Sequence, residues 1–348
     1  MALEKSVLAE AELRDILANA YGLHLVEPKR LSLGSANCYK ARCDEGVFFV
    51  KEYQSEYDMD RVKKEAELVA YLRTQDFPVA NFILTTDGRS CISVLGRTLA
   101  VQEFVDGQCY LNDLPRRYRK DCAIYLGMLH RILKDYPMET SMDEKWVEIA
   151  TSANASEKID ALLAVLEEYK DDPNYERIRE DLRFKKELSA KIADMRSYYK
   201  GITYTPSHGD YTACQLICDD ERVRAVIDFT TATKLPAVWE LMRSYVQSFG
   251  ACQNGAPFDV EDFCDYVNVY RKYFELTERD LEAMPYVYLV QLARSSYGYK
   301  EYLVQKTENR DALLEFATWR TGVCREVYTR IEEISAALVR LAKERTDL

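Results

Sequence analysis

The chain has 348 residues, 47% of them hydrophobic, enough to bury substantial cores, so intrinsic disorder is excluded as its main state. Fifty-eight Asp and Glu against 47 Lys and Arg leave a net charge of -11, which disfavours nonspecific binding to nucleic acid. No apolar run approaches the roughly 20 residues that span a bilayer, and a start that alternates charge with Ala and Leu reads as soluble, unsecreted and cytoplasmic.

From Leu3 to Ala20 the apolar positions Leu3, Val7, Leu8, Ala11, Ile16 and Leu17 fall near one face, predicting an amphipathic helix that Gly22 stops. Short β-rich runs follow at Leu25 to Leu33, Cys38 to Cys43, Val47 to Tyr53, Phe82 to Thr86, Cys91 to Leu95 and Thr98 to Phe104. A helix over Asp58 to Arg73 interrupts them. Turn signals at Asp44-Glu45-Gly46, Asp87-Gly88 and Leu95-Gly96 predict an antiparallel sheet. Past Asp106-Gly107 the pattern is helical near 113–134, 143–170, 175–200, 236–250, 259–275 and 278–345. The exception is Tyr204 to Phe229, where the apolar runs Gln215 to Cys218 and Val223 to Ile227 flank a polar turn. The expected fold class is α+β, with a small antiparallel-sheet lobe with its leading helix over 1–105 and a large, mainly helical lobe over 106–348. The ten cysteines form no CxxC pair and have no nearby His to complete a zinc site, so reduced thiols are expected.

The strongest chemical signal is His208-Gly209-Asp210-Tyr211-Thr212-Ala213-Cys214-Gln215, followed by Val226-Ile227-Asp228-Phe229. In nucleotide-dependent phosphoryl transfer one carboxylate accepts the proton of an attacking hydroxyl, while another carboxylate and an amide oxygen hold magnesium against the phosphates. Asp210, Asp228 and Gln215 fit that division of labour. A turn at Gly209-Asp210 and a capping role for Asp228 would explain the same residues without chemistry. Lys51 closes the apolar run Val47 to Val50, where it is either solvated or aimed at phosphates. Glu65 on the following helix could pair with it, and Glu67 is the rival partner. The small residues Gly34, Ser35 and Ala36 before Asn37 suit a backbone that approaches phosphates closely, or an ordinary hairpin. Gln102, Glu103 and Phe104 end the last strand of the first lobe, with backbone groups placed to meet an adenine edge.

Taken in this order, these segments make the chain resemble the aminoglycoside phosphotransferase superfamily, which also includes choline, homoserine and methylthioribose kinases. Gly34 to Tyr39 is similar to its G-x-x-N-x-Y phosphate loop, Lys51 to its strand lysine, Glu65 to its helix glutamate, and Glu103 to Gly107 to its hinge. Leu126 to His130 resembles its helix ending in Leu-His, Ile227 to Ala232 its metal segment, and Pro236 to Leu241 its Pro-x-x-Trp-Asp/Glu-Leu helix start. The resemblance implies a protein-kinase-like two-lobe fold and an ATP- and Mg2+-dependent phosphotransferase acting on a hydroxyl of a small molecule. It implies Asp210 as catalytic base, Asp228 and Gln215 as metal ligands, and Lys51 on the α and β phosphates. Gly34, Ser35, Asn37, Glu65, Gln102, Glu103 and Phe104 would complete the nucleotide site. His208, His130, Trp239 and Glu240 would be scaffold.

Two residues depart from the family pattern. Gln215 stands where Asn is usual, its extra methylene moving the amide oxygen by ~1.5 Å, and Thr230 where an acid is common. Gln215 therefore also admits a kinase-like binding or structural protein of the spore-coat kind. A protein kinase is disfavoured because no Ala-Pro-Glu anchor follows Asp228. The acceptor would be held by segments near 236–250 and 286–302, where Tyr286, Tyr288, Arg294, Tyr297 and Tyr299 cluster, as ligand cage or as core. A cationic acceptor is electrostatically compatible with the net charge. Nucleic-acid and membrane partners are not expected.

Overall fold

The computed structural model describes residues 8–31, 36–138, 148 and 154–343. Gly34, Ser35 and most of the first third of the helix expected over 143–170 lie outside them. In chain order the elements are α1 (Glu10–Ile16), β1 (Leu25–Leu31), β2 (Asn37–Cys43), β3 (Gly46–Glu52), α2 (Met59–Thr74), β4 (Phe82–Ile83), β5 (Ile92–Val94) and β6 (Arg97–Glu103). Then follow α3 (Arg119–Leu133), α4 (Asn154–Leu166), α5 (Tyr175–Ser189), β7 (Tyr204–Ser207), β8 (Leu216–Cys218), β9 (Val223–Val226) and β10 (Thr233–Pro236). The chain continues through α6 (Ala237–Ser248), α7 (Val260–Arg271), α8 (Glu278–Arg294), α9 (Arg310–Thr329) and α10 (Ile331–Ala342). An antiparallel sheet followed by a mostly helical remainder is the expected α+β class.

By its contacts the chain forms two compact units. The residues up to Cys109 join Gln215–Ala232 in one, and Tyr110–Cys214 joins Thr233 onward in the other. In the sheet unit the strands run in the order β1-β2-β3-β6-β4, with β5 also paired to β6. Neighbours are antiparallel, and in this register Lys51 lies opposite Cys38 on one side and Ala100 on the other. Helix α1 widens into a π turn over Leu17–Tyr21 that Gly22 ends, which places Leu13, Leu17 and Tyr21 on a core with Leu25, Tyr39, Val50, Leu99 and Val101. The side chain of Asp58 caps α2 by accepting the Arg61 N–H at 2.9 Å. The buried stripe of α2 is Val62, Glu65, Ala66, Leu68, Val69 and Leu72, so Glu65 shares the apolar face while Glu67 is exposed. The β8–β9 hairpin is tied to this unit at Val226, whose N–H donates to Pro78 O at 2.8 Å. Gln108 and Cys218 also exchange backbone hydrogen bonds at 2.8 and 2.9 Å.

In the helical unit β7 pairs with β10. Helices α3 and α7 approach closely at Gly127, where a Cβ would stand 2.9 Å from both Tyr270 O and the Tyr273 Cβ. The continuous periodicity over 278–345 predicts one long helical run, yet the chain breaks it. Ser295 is extended, and Gly298 takes φ +92 in close approach to α9, where any side chain would run into Leu313 O and Ala317. A second π turn, Glu301–Gln305, follows before α9. Among the described residues no helix is long and apolar enough to cross a membrane, and all ten cysteines are free thiols.

Candidate active site

In the sheet unit β3 delivers Lys51 and the turn after β9 delivers Asp228, and the two meet. Lys51 Nζ donates to Asp228 Oδ1 at 2.8 Å, with 8% of the lysine side chain and 25% of the aspartate exposed. Burial works against the ammonium, but Asp228 and Glu65 outweigh it and hold its pKa above the ordinary lysine value. Glu65, the residue expected to aim Lys51, accepts the Tyr53 hydroxyl at 2.9 Å, and its charge reaches Lys51 from there. Tyr53 also lays its ring beneath the ammonium, with Nζ 4.6 Å from the centroid. Burial pushes the Glu65 carboxyl up to about 7, with Lys51 pulling the other way. Of the two candidates on this helix, Glu65 lies on the buried face and Glu67 is exposed.

Asp228 has φ 63 and ψ 66, the left-handed region that a non-glycine residue enters at a cost on the order of 1 to 3 kcal/mol. The strain is held by side-chain bonds. Oδ1 of Asp228 also accepts the Thr230 hydroxyl at 2.6 Å, and Arg61 Nε donates to Thr230 O at 3.1 Å. Thr230, where relatives often carry an acid, here serves the aspartate as a donor. Gln215 ends a single 3-10 turn before β8, and its carbonyl accepts the Ile227 N–H at 3.0 Å, so it stands beside the chain that leads into Asp228. Two oxygen donors of this kind suit a hard cation that keeps several waters. Among the described residues no three His, Cys, Asp or Glu side chains gather as metal ligands.

Asn37 is buried at the start of β2 and accepts from Arg30 Nη2 at 2.7 Å. Gln102 is buried on β6 between Phe49 and Phe82. Glu103 ends that strand. Its N–H donates to Asn81 O at 2.9 Å, and its Oε2 accepts the Asn81 N–H at 3.2 Å. Phe104 lies under Lys40, whose Nζ is 4.1 Å from the ring centroid.

In the helical unit the segment after β7 is organised from below by Glu240 on α6. Glu240 Oε1 accepts the Gly209 N–H at 2.6 Å, while Oε2 accepts the His208 N–H at 3.2 Å and His130 Nε2–H at 3.0 Å. His130 Nδ1 then receives the Tyr270 hydroxyl at 2.6 Å, so the imidazole on α3 is satisfied at both nitrogens. Burial penalises the Glu240 charge, but His130, His208 and the loop amide together hold its pKa below the usual carboxylate value. Gly209 at φ +83 makes the turn that lifts Asp210 away from these buried partners. His208 is fully buried with Nδ1 accepting the Asp210 N–H at 3.3 Å, and Tyr211 anchors the far side by donating to Cys122 O at 3.0 Å. The expected scaffold residues His130, His208 and Glu240 therefore form one connected network.

Asp210 itself is 37% exposed at its side chain and pairs through Oδ1 with Nη2 of Arg243. Sequence reasoning missed Arg243. Its only local signal is its place one helical turn after Trp239, over whose ring the guanidinium lies at 5.4 Å. Most of the tyrosines near 286–302 turn out to be core. Tyr286 stacks on Tyr198 at 3.7 Å, Tyr288 is fully buried, and Tyr299 donates to Asp181 at 2.8 Å. Tyr297 is the exposed member, at 41%.

This fold is protein-kinase-like and is the fold of small-molecule phosphotransferases. It is shared with an aminoglycoside phosphotransferase from Alicyclobacillus acidocaldarius at 13% identity and TM-score 0.66, over 98% of each chain. Amicoumacin kinase, solved with AMP-PNP, Ca2+ and its antibiotic, matches at 14% identity and TM-score 0.63, over 92% of this chain and 95% of that one. A microcompartment-associated aminopropanol kinase matches at 16% and 0.59, over 94% and 99%. No curated protein matches the sequence significantly. The family model described as "Phosphotransferase enzyme family" matches residues 27–276, and the chain belongs to that family.

Proposed function

We propose that this phosphotransferase moves the γ-phosphoryl group of ATP to a hydroxyl of a small molecule, with Mg2+ as the metal. The observation that carries the reading is the Lys51–Asp228 ion pair at 2.8 Å, with the Glu65 carboxylate buried behind it. Three charged groups converging in a buried site have no structural need of one another, because an apolar trio of the same volume would pack at lower cost. Solved kinases of this fold with AMP-PNP and Ca2+, or with ADP and spectinomycin, support the nucleotide and the divalent metal.

Lys51 would donate to the α and β phosphates, held in line by the Asp228 and Glu65 charges. Asn37, with Gly34 and Ser35, would contribute to the phosphate site, and Gln102, Glu103 and Phe104 would border the base. Asp228 and Gln215 would hold the metal, which supplies positive charge against the phosphate oxygens. Asp210 would accept the acceptor's hydroxyl proton as its oxygen bonds to the γ-phosphorus and the bond to the β–γ bridging oxygen breaks, leaving ADP. The Glu240 network would keep Asp210 at its station, and Arg243 would orient its carboxylate.

Gln215 favours a second reading, nucleotide binding without transfer. An ADP-release assay over a panel of small hydroxyl compounds, with the phosphorylated product identified by phosphorus NMR, separates the two. Transfer is expected with wild type and should fall by roughly 100- to 10,000-fold in Asp210→Asn. MgATP binding with no product from any hydroxyl in the panel would favour the second reading.

A further inference from the structure

Two arginines of the helical unit, Arg243 beside Asp210 and Arg320 within reach of the Arg243 charge, keep guanidinium donors without a partner. Arg320 on α9 is 7% exposed, and its guanidinium is held only by neutral oxygens, donating from Nη1 to Ser295 Oγ at 3.1 Å and from Nη2 to Gln291 Oε1 at 3.1 Å. Its Nε is buried without a hydrogen-bond partner, and among the described residues no acid forms an ion pair with it. Arg243 shares Asp210 through Nη2 and leaves Nη1 buried and unpartnered. The other acid near Arg243, Glu240, is committed to His130 and the loop amides. Each arginine lies close enough for its charge to act on the Tyr288 phenol, and Arg243 works against the Arg320 charge directly. A buried, unpaired guanidinium costs several kcal/mol in the free protein. Arg320 without an acid, and a second guanidinium with one buried amino group still unpartnered beside the Asp210 carboxylate, describe a receptor for an oxyanion.

Resting on the reading of Asp210 as the residue that receives the acceptor's proton, we infer that the acceptor is an acid: a short hydroxy compound whose carboxylate or phosphate group sits between Arg243 and Arg320 while its hydroxyl meets Asp210. This narrows the electrostatics that net charge leaves open, and it points away from a purely cationic amine. Arg243 links the two ends, one amino group on the base and the other on the acceptor's acid. The exposed Tyr297 lies where the charges of Glu301, Arg320 and Asp210 all reach it.

The test compares glycerate, glycerol phosphate, glycerol and ethanolamine, by ADP release with MgATP and by titration calorimetry without nucleotide. Glycerate or glycerol phosphate should be turned over at least tenfold more efficiently than glycerol and ethanolamine, and which of the two leads identifies the oxyanion. Both acids should bind in calorimetry. Arg320→Gln should lose roughly tenfold or more in that binding and raise KM for the acid with kcat little changed, whereas Arg320→Lys, which keeps the charge, should recover part of the loss. Preference for glycerol or ethanolamine, or acid binding unchanged in both Arg320→Gln and Arg243→Gln, would overturn the inference while leaving phosphoryl transfer intact. A protein with no MgATP affinity would overturn the transfer reading, and the calorimetric titration with the two acids would still decide this one.

Discussion

Glu65 shows how one residue ties helix periodicity to function. The stripe that buries Val62, Leu68 and Leu72 also buries Glu65, and burial lifts its carboxyl to about 7. An acid whose folded pKa lies above its unfolded value of 4.5 binds more protons folded than unfolded between those two pH values. Its stabilising contribution is complete below pH 4.5 and is lost as pH rises through about 7. Glu65→Gln should therefore be more stable than wild type at pH 8, by an amount on the order of 3 kcal/mol if the whole displacement is felt. The gap should close toward pH 4.5. Urea midpoints across that range check it, and a gap that does not change with pH would refute it. Transfer should suffer in the same variant, because the charge behind Lys51 is gone. At this scale Lys51, Asp210 and Asp228 stand out in the sequence as candidates beside an apolar run or a glycine, and Glu65 through the segment that resembles the family's helix glutamate. Arg243 does not, since an arginine on an amphipathic helix looks like any solvated cation until Asp210 is folded against it.

Helix α6 is the element that holds the Asp210 segment. Glu240 accepts hydrogen bonds from His208, Gly209 and His130 within a fully buried setting. Removing one partner of a buried charged network strands the rest, at about 3 to 5 kcal/mol. Glu240→Ala should lower the thermal midpoint and disorder the segment, while Glu240→Gln, which keeps one acceptor oxygen, should cost less in stability. Both should depress kcat more than the KM for ATP, and an equal rise in KM would argue against a role confined to the loop. The Pro-x-x-Trp-Glu start of this helix was readable, yet its bonds to His130 were not, because they join residues far apart in sequence. The break after α8 was likewise hidden beneath a continuous helical period. The steric demand at Gly298, set by α9 packing against it, decides the matter there.

Over the whole molecule the chain resolves into two compact units that each draw on separated stretches of sequence. The order of sheet then helices was legible from the change of period near Asp106. The attachment of the β8–β9 hairpin to the sheet unit through Pro78 and Gln108 was not, since it rests on backbone hydrogen bonds that carry no side-chain signature. That attachment brings Asp228 to Lys51 within one unit. A ligand that binds only the folded state stabilises it by mass action, roughly 2.7 kcal/mol at one hundred times its Kd. The most direct measurement is the affinity for MgATP, by calorimetry, of wild type, Asp228→Ala and Asp210→Asn. The account predicts magnesium-dependent binding in wild type, near-complete loss in Asp228→Ala, and retained binding without transfer in Asp210→Asn. Affinity that is absent at millimolar MgATP in wild type, or indifferent to Asp228→Ala, would contradict it.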